Sequence, residues 1–236
     1  MHIPTRHDIL VSVGFLLILG LLVFSGLWVF RYRTRAAKVD FRRYPVKGID
    51  ISAHNGEVDF RRVREAGYSF VWIKAGEGET FRDARFADNY DAAVSAGLAV
   101  GAYHYFRFDC DGMLQAINLC QALDGREPAL GVAIDIEEEG NAAGVPTPVI
   151  ISRLSAMLDY LNMRGFPITL YSNKDGYYEY LQDEFSDYPL WICSFTDSMP
   201  IEDAPQWSYW QYSHNGKVPG VEGKVDENVS RVPLEL

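Results

Sequence analysis

Residues 130–140 read LGVAIDIEEEG, an apolar run that ends in four acids, Asp135, Glu137, Glu138 and Glu139. An apolar run of this length, bounded by turn signals, is typical of a strand buried on both faces. Residues i and i+2 of a strand face the same way, so Asp135 and Glu137 should project together, with Cα atoms roughly 6.5–7 Å apart. Two such acids are costly unless they have partners or a chemical role. For an isolated D-x-E pattern the alternative is a strand that runs into a solvated acidic turn.

Strand-like and helix-like stretches alternate along the chain. Strand patterns are found at residues 47–52, 70–75, 99–106, 130–137 and 168–172. Helical patterns separate them at residues 59–66, 83–96, 112–123, 148–164 and 174–181. Such repeated units predict an α/β fold with a parallel sheet. Three further strand patterns, at residues 190–195, 207–213 and 225–229, are joined without clear helices. About eight strands in about 190 residues predict a (β/α)-barrel variant of the TIM-barrel type, with irregular last strands that lack helices.

The stretch from Ile9 to Phe30 contains no charged residue. Its roughly 22 residues would span about 33 Å as a helix, enough to cross the core of a lipid bilayer. A secretory signal usually has a shorter apolar region, and no clear A-x-A cleavage site follows, so a retained transmembrane helix is favoured. We therefore divide the chain into a membrane anchor with a basic flank (residues 1–38), a tether (39–46) and a barrel domain (47–236).

The formal net charge of −10 argues against nucleic acid as a partner. Residues 1–38 carry five basic residues and one acid, a net charge of +4, which leaves −14 for the rest of the chain. Most of the basic residues follow the apolar stretch, and the positive-inside rule then favours a cytoplasmic barrel domain. Large domains do translocate against a modest charge bias. The function inferred below requires the domain outside the cytoplasm, and the sequence leaves the orientation open.

Cysteine usage predicts neither a disulfide framework nor a metal site. The three cysteines lie at positions 110, 120 and 193. If residues 112–123 are helical, Cys110 and Cys120 are well over 10 Å apart, beyond the reach of a disulfide. No His and Cys spacing typical of metal ligands is present, so we expect no metal or other cofactor. We expect a monomer.

In a barrel of this type, functional groups gather where the carboxyl ends of the strands open into loops. Acids and aromatic residues occupy these positions in most of the predicted strands. They are Asp50, Glu77, Tyr103, His104, Tyr105, Asp135, Glu137, Tyr171, Trp210, Gln211 and Asp226.

On these motifs the chain resembles the family 25 glycoside hydrolases, the lysozyme-type N-acetylmuramidases. The matching stretches follow the family's order over roughly residues 47–229: GIDISAHNG, FVWIKAGEG, FRD, FADNY, AGLAVGAYHYFR, AIDIE, ITLYSN, LWIC, YWQYS and VPGVEGKVDEN. The resemblance implies a (β/α)-barrel that cleaves the β-1,4 bond between N-acetylmuramic acid and N-acetylglucosamine in peptidoglycan. Asn55 and Gly76 depart from the family, which often has Gln and Thr there. Neither is an active-site acid, so these departures bear on substrate contacts.

The resemblance also implies roles for four acids. Glu137 matches the general acid, which must stay protonated near neutral pH, and nearby negative charges promote this. Asp135 matches the carboxylate that orients the substrate's N-acetyl group for substrate-assisted attack; an inverting mechanism with an activated water is the rival. Asp50 and Asp226 match two further acids of the mouth.

Five other residues are predicted to bind substrate. Tyr103, Tyr171 and Trp210 present flat aromatic faces that suit pyranose rings, with core packing as the alternative. Gln211 accompanies Trp210 in the YWQYS motif. Glu77 is either a substrate contact or a structural hydrogen-bond partner.

Two other functions stay open at this point. One is a membrane-anchored peptidoglycan-binding module that no longer cuts, and the other is a barrel hydrolase of chitin-like polymers, which also often carries a D-x-E strand end. The complete set of acids favours an enzyme, because a binding module has no need of a proton donor.

Overall fold

The structure is a computed structural model that describes residues 15, 17–21, 23, 37–195, 200, 201, 204 and 207–233. Most of the predicted anchor, Ile9 to Phe30, lies outside the described residues; those described within it are helical. The described part of the chain contains no helix that is both long and apolar enough to span a membrane. Residues of the predicted tether contact the barrel: Tyr44 is buried, with its ring 5.3 Å from that of Trp207.

A closed ring of eight strands forms the centre of the barrel unit. Its order is β1, β2, β4, β5, β6, β7, β8 and β9, and β9 pairs back onto β1. The strands from β1 to β8 run parallel around the ring, whereas β9 is antiparallel to both neighbours. The short β3 pairs with β2 alone. The bounds are β1 Val46–Ile51, β2 Tyr68–Glu77, β3 Phe81–Arg82, β4 Ala99–Tyr105, β5 Val132–Asp135, β6 Ile168–Asn173, β7 Leu190–Cys193, β8 Trp207–Gly216 and β9 Val225–Ser230.

Helices follow the early strands, as predicted. The described helices are α1 Phe60–Glu65, α2 Phe86–Ser95, α3 Gly112–Leu123 and α4 Thr147–Met163, and a short helical segment, Lys174–Gly176 and Tyr177–Leu181, follows β6. Carboxylates at the amino ends of α1 and α3 accept hydrogen bonds from backbone N–H groups that would otherwise lack partners. Asp59 accepts from the N–H of Arg61, and Asp111 accepts from the N–H of Leu114. The connection from β8 to β9 contains no helix, which confirms the predicted barrel variant there.

Large aromatic side chains fill the barrel interior below the mouth. The rings of Trp72 and Trp191 stack with centroids 5.3 Å apart. Gly101 lies beside Trp72, where a Cβ atom would come within 2.1 Å of the ring, and Gly48 faces the ring of Phe70 in the same way at 2.3 Å. The glycines of β1 and β4 therefore make room for the aromatic residues of β2. Side chains fill the barrel interior at this level, so a ligand can approach the interior only from the ends of the strands.

Candidate active site

Strand register brings the predicted acids to one end of the barrel. Asp50 at the end of β1 pairs with Asp226 near the start of β9, because β9 is antiparallel. Asp135 at the end of β5 pairs with Tyr105 of β4 and Tyr171 of β6. The carboxyl ends of β1 to β8 and the amino end of β9 thus form a common rim, which we call the mouth.

Asp50 is held in a network of buried amides. Its Oδ2 accepts hydrogen bonds from Gln211 Nε2 at 2.9 Å and from Asn228 Nδ2 at 2.7 Å. The Tyr171 hydroxyl donates to Gln211 Oε1 at 2.8 Å. Burial raises the pKa of Asp50, and the charge of Asp226 adds to the rise, while the two amides oppose it. Gln211 is only 2% exposed, so it orients Asp50 and does not face a substrate directly. Asn228 was not predicted as part of the site.

Backbone pairing continues past the end of β5 and fixes both Asp135 and Glu137. Ile136 N–H donates to the carbonyl of Tyr171 at 2.9 Å, and Asn141 Nδ2 donates to the carbonyl of Glu137 at 2.9 Å. Asp135 is 8% exposed, and its buried Oδ1 has no donor among the described residues. Glu137 is half-buried at the mouth. The nearly buried carboxyl of Asp135 therefore lies beside the more accessible carboxyl of Glu137.

The surroundings favour the protonated form of both acids. Burial raises the pKa of Glu137 to about 7, helped by the negative charges of Glu139 and Asp226 and opposed by His214 and Lys74. Burial also raises the pKa of Asp135 well above its ordinary value, and the neighbouring Glu137 adds to this. A carboxyl that keeps its proton near neutral pH can act as a general acid.

The remaining predicted site residues differ in accessibility. Tyr103 is partly exposed in the mouth, and burial followed by the charges of Asp50 and Asp135 raises the pKa of its hydroxyl. Tyr171 is buried and engaged with Gln211. Glu77 is partly exposed and pairs with Lys74 Nζ at 2.9 Å and with Arg107 at 3.4 Å.

The structure contradicts the prediction for Trp210. Its side chain is 0% exposed and packs on the outer face of β8, with its ring 6.2 Å from Tyr44 and 6.4 Å from Tyr212. Its indole N–H donates to the carbonyl of Ser194 at 2.7 Å. Trp210 is therefore a core residue and contributes no surface to a sugar subsite.

We expect Trp210→Phe to lower the free energy of unfolding by about 1–3 kcal/mol, because it removes packing volume and a buried hydrogen bond. The KM for the predicted glycan substrate should not change, whereas Tyr103→Ala, at a partly exposed position of the mouth, should raise it. Chemical denaturation and initial-rate kinetics on both variants check this, and a raised KM for Trp210→Phe would contradict it.

The two departures from the family pattern have structural consequences. Asn55 Oδ1 accepts from Ser52 N–H at 2.9 Å, and Asn55 Nδ2 donates to the carbonyl of Lys224 at 3.4 Å. Gly76 approaches the carbonyl of Phe81 so closely that a Cβ atom would lie 2.7 Å from it. Asn55 thus joins two loops, and Gly76 allows the tight pairing of β2 with β3.

His214 is a second polar residue of the mouth that was not predicted. His214 lies near the end of β8, and its Nδ1 is 2.9 Å from Asp226 Oδ1. Its Nε2 is 3.6 Å from Cys193 Sγ. Cys193 is a free cysteine, as are Cys110 and Cys120. The mouth therefore contains a histidine among its acids.

The sequence model of a family described as "Glycosyl hydrolases family 25" matches residues 49–221, which include Asp50, Asp135 and Glu137. The chain belongs to glycosyl hydrolase family 25. This confirms the resemblance on which the roles of the acids were assigned, and it places the chain among the glycoside hydrolases.

The chain is similar to an autolytic lysozyme from Clostridium acetobutylicum, 36% identical over 181 residues, which are 77% of this chain and 54% of that protein. Lysozyme M1 from Streptomyces globisporus is 30% identical over 198 residues, covering 78% of this chain and 67% of that protein. A solved structure of a family 25 glycosyl hydrolase from Bacillus anthracis superposes with a TM-score of 0.75 at 30% identity, covering 84% of this chain and 94% of that chain. The chain spans about half the length of the Clostridium relative.

Proposed function

We propose that the chain is a peptidoglycan hydrolase, an N-acetylmuramidase that cleaves the β-1,4 bond between N-acetylmuramic acid and N-acetylglucosamine. The observation that carries the proposal is the pair of acids at the end of β5. Glu137 is half-buried at the open end of the barrel with a pKa raised to about 7, and Asp135 precedes it by two residues on the same extended segment. The lysozymes among the relatives support the substrate class.

In the proposed first step, Glu137 gives its proton to the glycosidic oxygen as the bond from that oxygen to the anomeric carbon breaks. Asp135 accepts a hydrogen bond from the acetamido N–H of muramic acid, which directs the acetamido carbonyl oxygen onto the anomeric carbon. In the second step, water displaces that oxygen and passes a proton to the Glu137 carboxylate.

Asp50 and Asp226 are proposed to maintain the network around this pair. Asp50 accepts two amide hydrogen bonds at the level of Tyr171, and Asp226 is bound to His214. Tyr103 and Glu77 are the partly exposed members of the predicted substrate-binding set and are proposed to contact the glycan.

The raised pKa of Glu137 predicts the pH dependence of the reaction. Glu137 is active when protonated, so kcat/KM should be constant below its pKa of about 7 and fall about tenfold per pH unit above it. An ordinary glutamate, with a pKa of 4.5, would give the same decline from a much lower pH. Initial rates on purified peptidoglycan between pH 5 and 9 check this. A rate that rises up to pH 9 would rule out a general acid with this pKa.

Analysis of the new reducing ends tests the proposed bond. Purified peptidoglycan is digested with the full chain and reduced with borohydride, and the amino sugar alcohols are identified. A muramidase yields muramitol. New glucosaminitol ends would indicate cleavage of the other glycosidic bond, and binding without any new ends would favour a peptidoglycan-binding module.

We also propose that the stretch from Ile9 to Phe30 anchors the enzyme in the bilayer, with the barrel outside the cytoplasm. The support is the absence of charge over this stretch and the location of peptidoglycan. A phosphatase reporter fused to the carboxyl end, active only outside the cytoplasm, tests this orientation. An inactive fusion that is present in the membrane would contradict it.

A further inference from the structure

His214 reaches the mouth because β8 is irregular near its end. Tyr209 and Gln211 point into the barrel, so strict alternation would direct Ser213 inward next. The register between β8 and β9 shifts on both sides of Ser213, between Gln211 and Ser213 and again between Ser213 and Gly216. Such bulges redirect side chains. As a result, His214 contacts Cys193, an inward residue of β7, and Asp226 of β9.

Both ring nitrogens of His214 have partners. Nδ1 binds Asp226 Oδ1 at 2.9 Å, and Nε2 lies 3.6 Å from Cys193 Sγ. The ring also packs edge-on against Phe195 at 4.8 Å. These three contacts fix the orientation of the imidazole although its side chain is 41% exposed. Because these contacts fix the imidazole ring of His214, the ring can in turn restrict the position of a side chain that it binds.

The side chain that His214 binds is Asp226, one of the four acids of the mouth. Asp226 raises the pKa of both Asp50 and Glu137 through its negative charge, whereas His214 lowers the pKa of both. Burial alone would lower the pKa of His214, but the hydrogen bonds with Asp226 and Cys193 outweigh it and raise that pKa to about 11. At neutral pH His214 is therefore a positively charged imidazolium. Its charge opposes the effect that the negative charge of Asp226 has on Asp50 and Glu137.

We infer that His214 is a positioning residue of the proposed muramidase: it holds Asp226 in the mouth and places a positive charge among the mouth acids. This inference rests on the proposed function. The charged groups that act on Glu137 are Glu139 and Asp226 on the negative side and Lys74 and His214 on the positive side, and the buried carboxyl of Asp135 is its titratable neighbour. Cys193 and Asp226 face His214 from β7 and β9, and Asp50 acts on it from β1.

The test is a carbon-13 NMR titration of the Glu137 carboxyl, which does not require turnover. We compare the wild-type chain with His214→Gln, which removes the charge but keeps a hydrogen-bond donor for Asp226. The midpoint of Glu137 should rise by about half a pH unit or more, because an opposite charge nearby favours the ionised carboxylate. The alkaline limb of kcat/KM should move upward by the same amount, with little change in KM.

Two further variants separate this role from a structural one. His214→Lys keeps a positive charge and should return the Glu137 midpoint towards the wild-type value. Cys193→Ser keeps a hydrogen-bonding partner for His214 Nε2 as well as the contact with Asp226, so it should leave the midpoint where it is. An unchanged midpoint in folded His214→Gln, or an equal rise in Cys193→Ser, would overturn the inference. If the wild-type chain does not cleave peptidoglycan, the proposed function fails, yet the titration still decides whether His214 controls Glu137.

Discussion

Replacing Glu137 with Gln is expected to lower kcat for peptidoglycan hydrolysis by about 10²–10⁴-fold, since the amide has nearly the same shape but no acidic proton to give. KM should stay within about twofold, because the rest of the mouth is intact. The measurement is the initial rate of release of soluble muropeptides near pH 6, below the pKa of about 7 raised by burial of Glu137. The expected loss follows from the proposed role of Glu137 as the proton donor in the first bond cleavage.

The adjacent residue provides the matched control. Glu138 is exposed and accepts a hydrogen bond from the Tyr180 hydroxyl at 2.8 Å, away from Asp135. Glu138→Gln keeps an acceptor for that hydroxyl and should hydrolyse peptidoglycan within about twofold of the wild-type rate. Equal rates for Glu137→Gln and the wild-type chain would remove Glu137 from the mechanism, and an equal loss in both variants would indicate a disturbed loop.

Asp135→Asn is expected to cause the second largest loss, about 10²–10³-fold in kcat, because the amide replaces an oxygen that accepts the acetamido N–H and cannot become negatively charged as the cationic intermediate forms. Proton NMR of the first products adds a test of mechanism: substrate-assisted hydrolysis releases the β-anomer and an inverting mechanism the α-anomer. Initial formation of the α-anomer by the wild-type enzyme would contradict the proposed role of Asp135.

The Tm of Asp135→Asn shows whether its lost activity is a loss of catalysis or a loss of folded protein. Asp135 is nearly buried, and its Oδ1 lacks a donor among the described residues, so ionising it is costly. A neutral amide should therefore leave the Tm of Asp135→Asn equal to or above that of the wild-type chain at neutral pH. Asp109→Asn, at an acid with a 51% exposed side chain, is the control and should keep its activity within about twofold. A large drop in Tm for Asp135→Asn would mean that its lost activity reports on folding.

The sequence predicted the barrel and the central pair of acids because both follow from simple periodicities. An apolar run followed by Asp-x-Glu predicts a buried strand. The period of two along a strand predicts that both acids lie on the same face. The direction of β9 was not predictable, because an alternating pattern is the same in both directions along the chain. Its antiparallel course nevertheless decides that Asp226 lies beside Asp50.

The errors at β8 have a physical reason. Trp210 and Gln211 were both assigned to the mouth, but consecutive residues of a strand face opposite sides of the sheet. Gln211 points inward to Asp50, and Trp210 is consequently on the outer face. His214 was missed because the irregular register around Ser213 breaks the period of two on which the prediction depends.

A structure of the Glu137→Gln variant with a bound peptidoglycan tetrasaccharide tests the central claim most directly. The account predicts that the glycan lies across the mouth, with the amide nitrogen of position 137 within hydrogen-bond distance of the scissile oxygen and Asp135 next to the acetamido N–H of muramic acid. A glycan bound elsewhere on the barrel, or in the mouth but out of reach of position 137, would contradict it.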